Sequence, residues 1–407
     1  MVRTSFAIAN LRALTILFVV SFHSVLAYLG SQPASQLPFD VPPYPWRAFP
    51  ILDNERWFGF DLYCAFLYVF LMPLMFFISG LFVWPSLSRK GAKTFSYGRV
   101  WRIGVPFVVA AVLLMPVAHY PVYRVTATDP SWSAFWEHWL ALPFWPTGPL
   151  WFLWQILLLD LIAAALFSFA PGFAGQLGRL SVRASASPVR YLLGFTVLSI
   201  IAYLPLASIF KPWEWSQFGP FSLQSAQVTL FAVYFFAGVT AGANGFEHGL
   251  LEPKGMLASR WRLWLGLSIP AFLSWIAVTT LTVQSKTPVL ILEWLSSILF
   301  AVSSATACFA LIAIFLRFLG QRSLIADNLS QNAYGIYLVH YPFVIWLQYL
   351  LLGLTIFAVI KGAIVFIGAL ALSWALAIGF SRMPVAGRVV FANAPRSAAS
   401  ATRQILK

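Results

Sequence analysis

Long apolar segments recur along nearly the whole chain, and their length limits what the chain can fold into. A helix needs roughly 20 apolar residues to cross the hydrocarbon core of a bilayer. Ten segments approach or exceed that length, and they cover residues 6–29, 57–84, 103–118, 149–170, 190–210, 226–243, 261–283, 292–316, 333–352 and 356–380. The pattern predicts an all-α fold, a polytopic transmembrane bundle of about ten helices.

The composition excludes a soluble fold. Of the 407 residues, 60% are hydrophobic and only 9% are charged, whereas a soluble domain carries roughly 25% charged residues. The net charge of +14 suggests nucleic acid, but the basic residues form short clusters between apolar runs, as membrane topology requires. We therefore exclude nucleic acid as a partner. The first segment is too long for a signal peptide and lacks a small-residue cleavage site, so we expect it to be a membrane helix.

Basic residues alternate from loop to loop along the chain. Most of the 26 Lys and Arg residues fall in the N-terminal stub, the even-numbered loops and the tail. The opposite loops hold only Arg47, Arg56, Arg124, Lys211 and Lys286. Cytoplasmic loops carry the excess of positive charge, so the pattern predicts that both termini are cytoplasmic. We expect a transmembrane domain over residues 1–380 and a polar, basic cytoplasmic tail over residues 381–407.

Ionisable side chains inside the predicted spans are candidates for function, because each costs roughly 2.5–3.5 kcal/mol at the bilayer centre. His23 lies about 25 Å from the inner end of the first helix and Asp61 about 6 Å from the outer end of the second, so their depths are similar. A carboxylate beside a histidine can fix its tautomer and stabilise the imidazolium of a general base. Two alternatives stay open: His23 is a histidine satisfied by a neighbouring helix, and Asp61 is a cap at the outer helix end.

Other ionisable residues in the spans have mainly structural interpretations. Asp160 lies near the middle of the fourth span, where we expect a structural ion pair with Arg12. His340 follows Tyr337 by three residues, so both lie on one helix face; hydrogen bonding within the bundle is the favoured role and catalysis the alternative. Lys361 is expected to extend its side chain to the outer interface.

Tryptophans and cysteines complete the set of notable residues. One outer loop, residues 119–148, is rich in tryptophan and contains Trp132, Trp136, Trp139 and Trp145. Indole rings anchor proteins at headgroup level and also stack on sugar rings, and anchoring is the favoured interpretation. The two cysteines, Cys64 and Cys308, lie in apolar runs without metal-ligand spacing. We expect them to be buried free thiols, and we expect no metal site.

Five segments together resemble the signatures of acyltransferase family 3. In the first helix, "LRALTILFVVSFH" places ten residues between Arg12 and His23. The others are "PLMFFISGLF" (73–82), "RVWRIGVPF" (99–107), "PLWFLWQILLL" (149–159) and "NAYGIYLVHYPFVIW" (332–346). Each segment is short and apolar, but all five occur in the order of the family and spread over residues 6–380.

The resemblance implies a bacterial O-acyltransferase, a multi-pass protein of the cell inner membrane. Such an enzyme moves an acyl group from cytoplasmic acyl-coenzyme A to a hydroxyl of a carbohydrate, here a cell-surface or periplasmic glycan. Acyl-coenzyme A is a co-substrate, and no bound cofactor is implied. His23 matches the catalytic histidine of the family signature, and Arg12, Arg99 and Arg102 match its arginines, which we interpret as donor-binding. The segments at 73–82 and 332–349 look closest to the glucan-succinylating branch, within a wider class that includes polysaccharide O-acetylation.

Two alternatives to this interpretation stay open. The basic cluster at residues 89–102 suits the phosphates of coenzyme A, yet the positive-inside rule alone accounts for those charges. A secondary transporter or flippase for a glycan or an organic anion also fits charged residues within spans. Against it, the two halves of the chain show no clear repeat of helices interrupted by Gly or Pro. Acyl-coenzyme A hydrolysis or transfer by the purified protein distinguishes the two classes.

Overall fold

A computed structural model describes residues 6–33, 35–170, 176, 179, 182–183, 186–243, 245, 249–285 and 289–382. The helices are α1 (Phe6–Val25), α2 (Phe58–Gly80), α3 (Val83–Lys90), α4 (Ala92–Arg99), α5 (Val105–Thr126), α6 (Trp132–Ala141), α7 (Trp151–Phe169), α8 (Pro188–Ile209), α9 (Val228–Gly242), α10 (Met256–Ser259), α11 (Trp261–Gln284), α12 (Leu290–Phe318), α13 (Leu324–Leu350) and α14 (Ala358–Arg382). Strands β1 (Trp215–Phe218) and β2 (Phe221–Gln224) form an antiparallel hairpin in which Trp215 pairs with Gln224. Lys286 and residues 383–407, most of the predicted tail, lie outside the described residues.

Membrane-spanning helices account for most of the fold. Within the described residues, nine helical segments are long and apolar enough to cross a bilayer. They coincide with nine of the ten predicted spans; for example, α11 and α12 lie within two residues of the predicted bounds at each end. The prediction of an all-α polytopic bundle is confirmed. The orientation of the bundle stays a prediction from the loop charges.

The remaining predicted span, residues 333–352, falls in α13. This helix is not among the nine because polar residues lower its hydropathy, and three of them, Asn332, His340 and Gln348, are buried. It packs against α1, α5 and α14. Polar side chains in a membrane protein face the bundle interior, where neighbouring helices satisfy them. The packing of α13 therefore accounts for its composition and makes it the polar centre of the bundle.

The third span is longer than predicted. The sequence suggested a helix over residues 103–118, but α5 extends to Thr126 and contains both Pro116 and Pro121. Prolines are tolerated in transmembrane helices because neighbouring groups satisfy the backbone atoms that they free. A π-helical turn at Val100–Gly104 joins α4 to α5. The extension is important because it brings His119, predicted to lie in an outer loop, into the helix.

Small residues allow α2 and α9 to pack closely. A Cβ atom at Gly80 would overlap the carbonyl oxygen of Phe235, and one at Gly238 would overlap that of Phe77. Close backbone approach at small residues is a common way to hold helices together in lipid, where no hydrophobic effect drives their association. These glycines fix the position of α2, which also packs against α1.

The loop between α1 and α2, together with α6, covers the predicted outer side of the bundle. In the loop between α1 and α2, the indole of Trp46 donates a hydrogen bond to Phe39 O at 2.9 Å and stacks on the Phe39 ring. Trp46 is buried against His119, with 5.5 Å between ring centroids. Trp139, in α6, is only 1% exposed and also contacts His119, with 5.6 Å between the ring centroids. The predicted anchoring role is wrong for Trp139, because a buried ring cannot reach the headgroups.

Lys361, in α14, forms an ion pair with the loop between α1 and α2. Its Nζ lies 2.9 and 2.8 Å from the two carboxylate oxygens of Asp53, and both side chains are buried. Asp53 Oδ1 also accepts a hydrogen bond from the backbone N–H of Glu55. The prediction that Lys361 extends to the interface is wrong, because a carboxylate from the loop satisfies its charge inside the protein.

Candidate active site

Two histidines from different helices meet inside the bundle. His23 lies in α1 and His340 in α13, and their ring centroids are 5.1 Å apart. His340 Nε2 is 3.3 Å from His23 Nδ1. His340 is fully buried, whereas His23 is partly exposed. Of the two residues, His23 is therefore the less enclosed.

Backbone carbonyls assign the tautomers of both rings. His23 Nδ1 lies 2.8 Å from Val19 O, and His340 Nδ1 lies 2.7 Å from Tyr337 O. A carbonyl oxygen only accepts hydrogen bonds, so both Nδ1 atoms carry the proton and both Nε2 atoms carry the lone pair. The lone pair of His340 then faces the Nδ1–H of His23. Within the described residues, His23 Nε2 has no hydrogen-bond partner, which is the arrangement that a general base requires.

The expected pairing of His23 with Asp61 is not formed. Asp61 accepts hydrogen bonds from the backbone N–H groups of Gly30 and Ser31, at 2.7 and 3.1 Å, and from the Ser31 hydroxyl. It lies in the first turn of α2, where a negative charge also complements the helix dipole. The prediction rested on similar depth along the two helices, and depth says nothing about rotation about a helix axis. His340 occupies the position next to His23 instead.

Tyr337 supports the position of His340. Its hydroxyl donates to the carbonyl oxygen of Pro149, and its own carbonyl oxygen accepts from His340 Nδ1. Gln348, two turns further along α13, donates to the carbonyl oxygens of His23 and Ser24 at 2.9 and 3.1 Å. These hydrogen bonds fix α13 against both α1 and the start of α7. The predicted hydrogen bonding of His340 within the bundle is confirmed.

Arg12 has a different partner from the one expected. Its guanidinium donates to the Ser330 hydroxyl at 3.0 and 2.8 Å and to Ser330 O at 2.9 Å. Asp160 is buried and lies 3.2 Å from Nε of Arg99. The predicted Arg12–Asp160 pair is wrong, although the expectation of a structural ion pair for Asp160 is correct. The Arg99 charge is thus partly neutralised inside the protein.

Basic residues cluster in α3, in α4 and in the π-helical turn that follows, at the predicted cytoplasmic side of the bundle. Arg89, Arg99 and Arg102 are close enough to Lys90 for their charges to act on it. Arg102 is also near Tyr334, whose buried hydroxyl has no hydrogen-bond partner among the described residues. Asp160 pairs with Arg99. The cations of this cluster that remain available to an anionic ligand are therefore mainly Arg89, Lys90 and Arg102.

His119 is a candidate that the sequence did not provide. It is buried in α5, with Nδ1 2.8 Å from Met115 O. The ring of Tyr341 lies between the two histidines, 5.6 Å from that of His23 and 5.8 Å from that of His119. The sequence signal was present in "AHYP", a histidine between the two prolines of α5. It was missed because the predicted span ended at residue 118.

The described residues contain no group of three or more His, Cys, Asp or Glu side chains able to hold an ion. Cys64 and Cys308 are both free and buried, as predicted. The polar side chains that contact His23 include the imidazole of His340, the phenol of Tyr341 and the amide of Gln348. Such groups accept and donate protons and hydrogen bonds, as acyl transfer requires.

Comparison with known proteins identifies the family. A search of curated proteins and a search of solved structures each found no match to the chain. A family model described as an acyltransferase domain matches residues 6–378, nearly the whole chain. The chain therefore belongs to acyltransferase family 3, and it is a multi-pass membrane enzyme that transfers acyl groups.

Proposed function

We propose that this acyltransferase moves an acyl group from acyl-coenzyme A to a hydroxyl of a carbohydrate, with His23 as the general base. One observation carries the proposal. His23 Nδ1 is held by Val19 O, which leaves the Nε2 lone pair without a partner among the described residues, on a residue that is less enclosed than His340. A hydroxyl is a poor nucleophile until such a base takes its proton.

The reaction balances without an external proton. His23 Nε2 removes the hydroxyl proton as the oxygen attacks the thioester carbonyl carbon, and an O–C bond forms. The C–S bond then breaks, and the imidazolium returns its proton to the departing sulfur, so the products are an ester and free coenzyme A. Because one residue accepts and donates the proton, no separate general acid is needed.

His340 acts as a positioning residue in this scheme. When His23 is protonated, its Nδ1–H has two acceptors, Val19 O and the lone pair of His340 Nε2. Both orient the ring, and both stabilise the imidazolium. Asp61 acts at a greater distance by holding Gly30 and Ser31 where the chain leaves α1. It is thus proposed to position the outer loop and not to contact the reacting atoms.

The donor is proposed to enter from the cytoplasmic side. Arg12 lies eleven residues before His23 on the same helix, about 16 Å away along its axis. A coenzyme A molecule held by its phosphates near Arg12, Arg102 and Lys90 would extend its flexible arm toward His23. Arginine forms strong, charge-assisted hydrogen bonds with phosphate. Acetyl and succinyl donors, a glycan acceptor and location in the inner membrane all belong to this proposal.

Removing the His23 imidazole tests the proposal. The purified enzyme is supplied with acetyl- or succinyl-coenzyme A and a panel of glucose, galactose and mannose oligosaccharides, and released thiol and acylated sugar are measured. His23→Ala should lower transfer by about 10²–10⁴-fold, the usual contribution of general acid–base catalysis. His138→Ala removes an imidazole from the outer surface, where it pairs with Asp40, and should leave transfer unchanged. Near-normal transfer by a well-folded His23→Ala protein would refute the mechanism.

A further inference from the structure

Four neighbouring side chains each have one polar atom without a partner. Within the described residues, no hydrogen bond is made by His23 Nε2, Tyr341 Oη, His119 Nε2 or Trp139 Nε1. The four rings follow one another at centroid distances of 5.6, 5.8 and 5.6 Å. Trp139 Nε1 is completely buried. Buried polar groups are nearly always hydrogen-bonded, so this buried indole N–H is a donor that a ligand hydroxyl could satisfy.

His119 and Trp139 present complementary hydrogen-bonding groups. His119 Nδ1 donates to Met115 O, so Nε2 accepts. The indole N–H of Trp139 only donates. A group that satisfies both must accept one hydrogen bond and donate another, which is what a hydroxyl does.

The surroundings hold these two rings in place. Trp46 packs on His119 at 5.5 Å, and the buried Asp53–Lys361 pair fixes the loop that carries it. A Cβ atom added at Gly148, whose φ is +48°, would lie 2.8 Å from the ring of Tyr341. Gly148 therefore packs closely on the Tyr341 ring, which contacts the rings of both His23 and His119. Rigid groups on regular elements bind a ligand in one defined orientation.

We infer that His119 and Trp139 bind a second hydroxyl of the acceptor, while the reacting hydroxyl lies at His23. The inference rests on the proposed function, because it assigns a subsite for the same acceptor. An acceptor that uses both positions carries several hydroxyls on a rigid frame, and a sugar ring meets that requirement. His119 and Trp139 are then specificity-determining residues, and Tyr341 separates the two hydroxyl positions.

The test separates acceptor binding from donor binding. Trp139→Phe removes only the pyrrole part of the indole with its N–H, and His119→Leu removes the acceptor nitrogen. The same oligosaccharide panel and the same two donors are used, and KM is measured for each substrate. Each variant should raise the KM for the sugar by about 3–10-fold, the value of one neutral hydrogen bond, with the KM for acyl-coenzyme A unchanged. His119→Gln, which keeps a polar atom near the Nε2 position, should recover part of the loss.

Trp294→Phe is the matched control. Trp294 lies near the outer end of α12 and is 44% exposed, so the same change there should alter neither constant. An unchanged KM for the sugar in both Trp139→Phe and His119→Leu would overturn the inference, and so would an equal rise in the KM values of both substrates. A wild-type enzyme that acylates no sugar in the panel would instead overturn the proposed carbohydrate acceptor, and the subsite with it.

Discussion

The contact between His340 and His23 predicts a specific and limited catalytic loss. His340→Phe keeps a buried ring against Tyr337 and Tyr341 but removes the Nε2 acceptor that faces His23 Nδ1. A hydrogen bond to a charged group contributes about 1.5–3 kcal/mol. The 3.3 Å separation is longer than the usual 2.9–3.0 Å, so we take the lower value. About 1.5 kcal/mol corresponds to roughly a tenfold decrease in kcat.

A double-mutant cycle tests whether His340 acts through His23. A positioning residue has nothing to position once the base is gone, so His23→Ala/His340→Phe should be no slower than His23→Ala alone. Residues that act as a unit show this non-additivity. kcat is measured with saturating donor and acceptor, and thermal unfolding in detergent checks that each variant is folded. A folded His340→Phe enzyme as slow as His23→Ala would refute the positioning role, and so would two effects that simply multiply.

Two further predictions concern the ion pairs. Lys361→Met should destabilise the protein by about 3–5 kcal/mol, because Asp53 becomes an unpaired buried charge, whereas Lys361→Met/Asp53→Asn should recover most of that stability; equal unfolding midpoints for the single and double variants would contradict this. Arg102→Gln should raise the KM for acyl-coenzyme A about tenfold by removing a phosphate contact at little cost in stability. Arg99→Gln should mainly lower the unfolding midpoint by leaving Asp160 unpaired, and the reverse pattern would show that the roles of the two arginines are exchanged.

The sequence predicted the spans well because their signal is local. Length and apolar content place a helix in the bilayer whatever its neighbours are, and α11 and α12 needed no other information. The prediction was less accurate for α5, which continues through Pro116 and Pro121 to Thr126, eight residues beyond the predicted end. His119 lies in that extension and was therefore not considered as a residue of a span.

The partners of the buried charges could not be predicted in the same way. Depth along a helix follows from residue number, but rotation about the axis depends on packing with other helices. His23 and Asp61 were predicted at similar depth, yet Asp61 accepts hydrogen bonds from Gly30 and Ser31 and His23 contacts His340. Asp160 pairs with Arg99 and not with Arg12. The ion pair of Lys361 was missed for a related reason, because its carboxylate comes from an outer loop that no span analysis includes. The family signature pointed to His23 and Arg12 without any knowledge of packing, since their spacing lies within one helix.

The buried Asp53–Lys361 pair also has a consequence for biosynthesis. Asp53 belongs to the loop between α1 and α2, whereas Lys361 belongs to α14, 308 positions later in the chain. Chains are synthesised from the N-terminus at roughly 5–20 residues per second, so this separation delays their meeting by at least about 15 s. Until then the Asp53 carboxylate lacks its lysine partner, and the ion pair does not yet hold the loop that carries Trp46 against His119. We expect ribosome-bound chains that lack α14 to show this loop open to protease and the finished enzyme to protect it.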